Sequence, residues 1–231
     1  MTRRDVKNCA IKMPKLLELF SGTKSVSRVA RSLGWDCVSL DICPRHSPDL
    51  CLSILDFDQT AWPRDAFDFV WASPPCESYS KARTRGRGAN PITREEDMVA
   101  ADTIVRKMRA VLEWFQAPYC VENPHTSRLW LREVSRGLRE RSVLVSYCQY
   151  EGYFYRKTTR LAVSFAIVLP VCPGVGRCAK MNGKFHKEWA QAGGVAGDTY
   201  QTTDRLHTIP EGLVRAILGQ LSNAAGGDTA P

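Results

Sequence analysis

Two short stretches of the 231-residue chain carry residues that can do chemistry together. Phe69-Val70-Trp71-Ala72-Ser73-Pro74-Pro75-Cys76 is an apolar run that stops at two prolines and then offers one thiol. Tyr119-Cys120-Val121-Glu122-Asn123-Pro124 is a second run that ends on a carboxyl group. A thiolate beside a carboxyl-bearing loop suits covalent attack on an electron-poor ring. Pyrimidine carbon 6 is such a centre. Addition there makes carbon 5 nucleophilic, as an enamine, able to take a methyl group from a sulfonium. The addition needs a proton or a strong hydrogen bond at ring nitrogen 3 as charge develops, and Glu122 can supply it. The prolines fix the backbone so that the thiol of Cys76 projects outward.

A second set is Cys148, Cys172, Cys178 and His186. These residue types can bind zinc as a Cys3His site. The spacing is irregular, so buried or idle cysteines are the competing reading. Nine cysteines, an odd number in a chain too large to need disulfide staples, point to a reducing compartment. Cys37, Cys120 and Cys148 fall on expected strands, where a free thiol behaves as a small hydrophobe. His46, His125 and His207 have no constellation in the sequence and read as surface or capping residues.

These groups need elements to hold them. Residues 15–20 read as a first strand and 21–25 as a turn of small residues. Val26, Val29, Ala30 and Leu33 follow at helical spacing, and residues 37–41 form a second strand ending on Asp41. This βαβ order lets the first turn approach a nucleotide-like ligand and lets the acid bind a ribose. Further strands are expected at 51–55, 67–72, 119–124, 143–150 and 155–163, the last two as a hairpin. Helices are expected at 93–116, with Thr93 as N-cap, at 129–138 and after Ile209-Pro210-Glu211. The fold class is α/β, a mostly parallel twisted sheet with helices on both faces. Its strand ends at 20–23, 41, 56–58, 73–80 and 122–124 share one edge, where ligands bind in such folds.

Length and composition fit one domain over residues 15–222. A basic arm (1–14) precedes it and a disordered tail (223–231) follows. Residues 164–205 form an irregular Cys-, His- and Gly-rich insertion. No apolar run is long enough to span a bilayer, so a soluble, intracellular monomer is expected. The net charge of +8, with Arg83, Arg85 and Arg87 directly after Cys76, favours a nucleic-acid partner.

Leu19-Phe20-Ser21-Gly22-Thr23, Ser73-Pro74-Pro75-Cys76, Val121-Glu122-Asn123-Pro124 and the hairpin from Gln149 to Arg160 occur in the order found in cytosine-5 DNA methyltransferases. The stretch from about Lys15 to Leu218 resembles that family's compact phage and virus branch. The resemblance implies a Rossmann-like fold using S-adenosylmethionine. It implies Cys76 as nucleophile and Glu122 at cytosine nitrogen 3. Arg160, or the Arg156-Lys157 pair, would steady the cysteine and cytosine oxygen 2. Phe20, Ser21, Gly22, Thr23, Asp41, Ile42, Asp56 and Pro74 are the expected cofactor residues. Ser80, Arg83, Arg85, Arg87, Arg156 and Lys157 are the expected nucleic-acid residues.

The chain departs from the family pattern at Lys24, where glycine is usual, and at Ser53, where an acid is usual and Asp56 would compensate. It has Glu77 after the cysteine and Pro124 after Glu-Asn, and only about residues 161–205 replace the large recognition region. Methylation of cytosine in DNA is the leading expectation. RNA as substrate, and a catalytically inactive cofactor- or nucleic-acid-binding module, are the alternatives.

Overall fold

A computed structural model of the chain describes residues 13–80, 91–192 and 200–226. The expected arm up to residue 12, residues 193–199 of the insertion, the last five residues of the tail, and Arg83, Arg85 and Arg87 lie outside the described residues.

The elements run β1 (Lys15–Leu19), α1 (Ser25–Ser32), β2 (Asp36–Asp41), β3 (Leu50–Cys51), β4 (Phe69–Ala72), α2 (Pro91–Phe115), β5 (Tyr119–Pro124), β6 (Ser142–Ser146) and β7 (Thr158–Val163). Short strands follow: β8 (Met181–Asn182), β9 (Phe185–His186), β10 (Trp189–Ala192) and β11 (Tyr200–Gln201). Helices α3 (Thr203–His207) and α4 (Glu211–Gly226) complete the described chain.

Seven strands form the main sheet in the order β3-β2-β1-β4-β5-β7-β6. The first five pair in parallel, and β7 runs antiparallel to both β5 and β6. Strand alternation divides the core. Leu17, Val70, Ala72 and Val121 face α2, whereas Leu16, Phe69, Trp71 and Cys120 face α1 and α4. All eight are essentially without solvent exposure, as expected for parallel strands covered on both sides.

Helix α1 shows how closely the site is tied to this packing. Its N-cap, Lys24, makes no side-chain cap bond and sits in the left-handed region at φ 55°. Glu18, on the preceding strand, does the capping instead. Its carboxylate accepts from the backbone N–H of Val26 (3.3 Å) and Ser27 (2.8 Å). Burial pushes the Glu18 carboxyl up to about 7, against those hydrogen bonds.

The structure differs from the sequence expectations in several places. The strand expected at 51–55 pairs only through Leu50–Cys51, because Ser53 caps a 3-10 turn at Ile54–Asp56 with its hydroxyl. The helix expected at 129–138 is two 3-10 turns, Arg128–Leu131 and Glu133–Ser135. Helix α2 starts at Pro91 rather than after Thr93, a position where a missing N–H costs nothing. Helix α4 continues to Gly226, into the expected tail.

Candidate active site

The strand order reverses between β1 and β4, which are neighbours in the sheet although the chain leaves β1 toward β2 and β3. Such a switch point opens a crevice beyond the carboxyl ends of the strands. A cleft of about 480 Å³ lies there, and the turn after β1, Asp41, Cys76 and Glu122 all line it.

The turn after β1 is built by three left-handed residues, Phe20 (φ 58°), Gly22 (φ 45°) and Lys24 (φ 55°). Asp41, at the end of β2, pins it. One carboxylate oxygen accepts from Gly22 N–H and the other from Cys43 N–H, both at 2.8 Å. Each oxygen has a further lone pair with which to accept. Ser21 and Thr23 line the same cleft, as does Ile42, which is 71% exposed. The Ser21 hydroxyl is buried with no hydrogen-bond partner.

On the thiol side, the Ser73 to Ser80 loop is held rigidly. Asn123 Nδ2 donates to Pro74 O (2.8 Å), Trp71 Nε1 donates to Ser73 Oγ (2.9 Å), and Tyr79 N donates to Cys76 O (3.1 Å). Tyr79 is fully buried, and its hydroxyl donates to Asp102 of α2 (2.8 Å), which Arg132 grips at 2.6 Å. Nothing in the spacing of the sequence marks Asp102 or Arg132. They serve the site only through Tyr79.

Glu122 stands at the end of β5, 6% exposed, and its Oε1 has no hydrogen-bond partner. Lys157 Nζ lies 4.0 Å from it, over the Tyr147 ring, and donates to Leu206 O (2.7 Å). Burial and the Glu122 carboxylate raise the Cys76 thiol above its ordinary range, while Lys157 opposes them. The free site therefore holds Cys76 as a thiol at neutral pH.

Of the basic residues expected near the thiol, Lys157 lines the cleft and Arg160 does not. Arg160 pairs with Asn123, whereas Glu122 pairs with Leu161, so Arg160 stands on the opposite face of the sheet from Glu122. Its guanidinium bonds Ser142 (2.6 Å) and His125 (3.4 Å) and lies over Trp130. Asp56 is also displaced from its expected place. It is exposed on the 3-10 turn and does not line the cleft. Pro74 lines the cleft, but Ser80 and Arg156 do not. Arg156 borders a separate cavity of about 270 Å³ with Phe185 and Trp189. Cys148, Cys172, Cys178 and His186 come together elsewhere, their ligand atoms all within 4.8 Å of one another.

The cleft also holds residues that the sequence reading missed. Arg45 and His46 face Asp204 of α3 across one rim, at 3.0 Å and 3.8 Å. His207 lines the same wall. These come from segments far apart in the chain, so no local motif marks them.

No profile of a known protein family matches the chain. A protein of Frog virus 3 (isolate Goorha), described as a probable DNA (cytosine-5)-methyltransferase, is 30% identical over 220 residues, which is 88% of this chain and 98% of that protein. Two solved structures are similar. The Entamoeba histolytica methyltransferase EhMeth has a TM-score of 0.49 at 13% identity, with 68% of this chain and 56% of that one aligned. A Spodoptera frugiperda DNMT2 mutant has a TM-score of 0.42 at 15% identity, with 68% and 55% aligned. The chain thus spans little more than half the length of either solved protein. The identity to the viral protein runs through nearly all of both sequences, and with it this chain belongs to the DNA (cytosine-5)-methyltransferase family.

Proposed function

We propose that this chain methylates carbon 5 of cytosine in DNA, with Cys76 as the nucleophile and Glu122 as the group that serves ring nitrogen 3. The observation that carries this reading is the pairing of β4 with β5, which sets Cys76 and the unpartnered carboxylate oxygen of Glu122 along one cleft.

The family implies S-adenosylmethionine, and the donor set fits it. The cleft volume of about 480 Å³ suits a nucleoside-sized ligand. Asp41 matches a ribose diol, the exposed face of Ile42 an adenine ring, and the unpartnered Ser21 hydroxyl the polar end. When bound, the cofactor supplies an electrophilic methyl group to carbon 5.

The chain's own residues do the rest. The target base must leave the stack, because carbon 6 is shielded within a duplex. Cys76 gives up its proton to the Glu122 carboxylate as its sulfur bonds to carbon 6. Glu122 delivers a proton to nitrogen 3 as the ring gains electrons, so no full negative charge builds up. Neutralising Glu122 also removes the carboxylate that holds the Cys76 thiol up, so base binding and thiol activation are linked. Lys157, 4.0 Å from Glu122, favours the thiolate and would donate to cytosine oxygen 2. After methylation the carbon-5 proton leaves to water, the sulfur–carbon bond breaks to give the Cys76 thiolate, and the nitrogen-3 proton returns through Glu122 to that thiolate. Ser80, Arg83, Arg85, Arg87 and Arg156 serve the nucleic-acid backbone. Phe185 and Trp189, with ring centroids 5.9 Å apart beside Arg156, offer a stacking face.

The test is mass spectrometry of nucleosides from DNA, and separately from RNA, after incubation with S-adenosylmethionine. 5-Methyldeoxycytidine is the expected product. Methylation confined to RNA would replace the substrate, and no methylated nucleoside from either would make the chain a binder.

A further inference from the structure

The insertion that takes the place of a recognition region has almost no core of its own. Between Ser164 and Ala190, Cys178 is the single buried residue. The segment holds only two-residue strands, β8 and β9, before β10 begins. A connection of this length inside a compact domain needs something other than apolar packing to fix it. Four side chains converge where such a fastening would lie.

We propose that Cys148, Cys172, Cys178 and His186 bind one Zn²⁺ in a closed, structural site. Their ligand atoms all lie within 4.8 Å of one another. The Cys172 and Cys178 sulfurs are 3.5 Å and 3.6 Å from His186 Nε2. Tetrahedral coordination with ordinary Zn–S and Zn–N bonds places sulfur and nitrogen about 3.6 Å apart. The surroundings are those of metal-bound thiolates. Gln149 Nε2 donates toward Cys148 (3.3 Å) and Cys178 (3.7 Å), and the backbone N–H of Lys180 donates toward Cys178. The turn from Cys172 to Cys178 is closed by Gly174 (φ 84°) and Gly176 (φ 74°), and Cys178 N–H bonds Gly174 O at 3.0 Å. Only glycine holds these left-handed positions without strain.

Zinc is favoured over an open catalytic ion because all four tetrahedral positions are protein ligands, three of them thiolates. Binding replaces three thiol protons, leaving a site with one net negative charge that the Gln149 and Lys180 N–H groups offset. The metal ties the insertion to the 3-10 turn Tyr147–Gln149 at the end of β6. That turn also carries the Tyr147 ring on which Lys157 rests. The site thereby fixes both the insertion and one wall of the cleft.

The experiment uses the full chain purified under reducing, zinc-replete conditions. About one zinc per chain is expected by elemental analysis, falling roughly tenfold or more in Cys178→Ser and in Cys172→Ser. Chelation should open residues 164–190 to limited proteolysis while the rest of the chain resists. Should a serine variant fail to fold, Co²⁺ exchange into the wild type gives the second measurement, with the intense visible bands of a tetrahedral thiolate site expected. Cys76→Ala should bind zinc like the wild type, so failure of the catalytic reading leaves this one standing. A metal-free chain of unchanged proteolytic pattern, zinc that persists in both serine variants, or a disulfide among the three cysteines would overturn it.

Discussion

Two cysteine centres lie at strand ends of the same sheet, and they are built on opposite plans. Cys76 stands alone beyond β4, half-buried, beside the Glu122 carboxylate, whose Oε1 accepts no hydrogen bond. The Cys148, Cys172, Cys178 and His186 group supplies its own partners within 4.8 Å. The first is left incomplete. Ser21, Asn123 and Glu122 each keep a buried polar atom without a hydrogen bond in the cleft. The second is closed on itself, its sulfurs bonded by Gln149 and His186. A thiol meant to react needs one acid and an open side, whereas a thiol meant to hold structure needs companions and none.

Removing each centre should therefore have different consequences. Cys76→Ala should lower methyl transfer by roughly a thousandfold or more while S-adenosylmethionine binding and zinc content stay as in the wild type. Labelled-methyl assays beside calorimetric titration of the cofactor check this. Retained turnover would erase the distinction between the two centres.

The next largest effect separates the thiols by what sets their reactivity. Glu122→Gln should cut methyl transfer by roughly 10²–10⁴-fold, the range for a general acid. The same change should move Cys76 alkylation by iodoacetamide to lower pH, since the Glu122 carboxylate raises that thiol. Lys157→Met should move it to higher pH, since Lys157 lowers it. Alkylation of Cys178 should respond to neither. A variant that loses activity and gains thiol reactivity together is hard to explain by misfolding.

Glu18 extends the contrast to stability, because the open cleft carries a buried acid that the closed centre lacks. Its carboxyl is pushed from the ordinary 4.5 to about 7 in the folded chain. The folded state then holds a proton that the unfolded state releases. Its contribution to stability is full below about 4.5 and is lost as pH rises to about 7. The shift corresponds to about 3 kcal/mol at most. Urea unfolding at pH 5 and pH 7 should show this decline in the wild type and a flatter profile in Glu18→Gln. The smallest effect is at Lys24, a left-handed residue whose amine donates to Ser47 O at 2.7 Å. Lys24→Gly should raise stability by about 0.5 kcal/mol, after the loss of that exposed bond and the added freedom of the unfolded chain. Equilibrium denaturation measures it.

The sequence revealed the cleft more fully than its rim. Phe20, Asp41, Cys76 and Glu122 each lie near or just beyond the carboxyl end of an apolar strand, so local pattern and strand-end logic are enough to group them. Arg160 lies outside the cleft because the face of a strand depends on register. The pairing of Asn123 with Arg160 across β5 and β7 cannot be read from spacing. Asp56 lies outside the cleft for a similar reason, since the Ser53 hydroxyl turns an expected strand into a 3-10 turn. The Arg45–Asp204 rim and the Tyr79–Asp102–Arg132 support join segments distant in the chain, and only the tertiary fold brings them together. The four metal-type residues are visible as a set, but their convergence depends on a turn closed by two glycines in a segment without periodicity.

The central claim is that Cys76, and no other cysteine, forms the bond to the substrate base. DNA containing 5-fluorocytosine tests it directly, because fluorine at carbon 5 blocks the proton loss that releases the enzyme. Incubation with S-adenosylmethionine, followed by peptide mapping of the trapped complex, should place the adduct on the peptide containing Cys76, with none formed by Cys76→Ala. Trapping at Cys172 or Cys178, or methylation of ordinary cytosine with no trapped complex, would contradict the account.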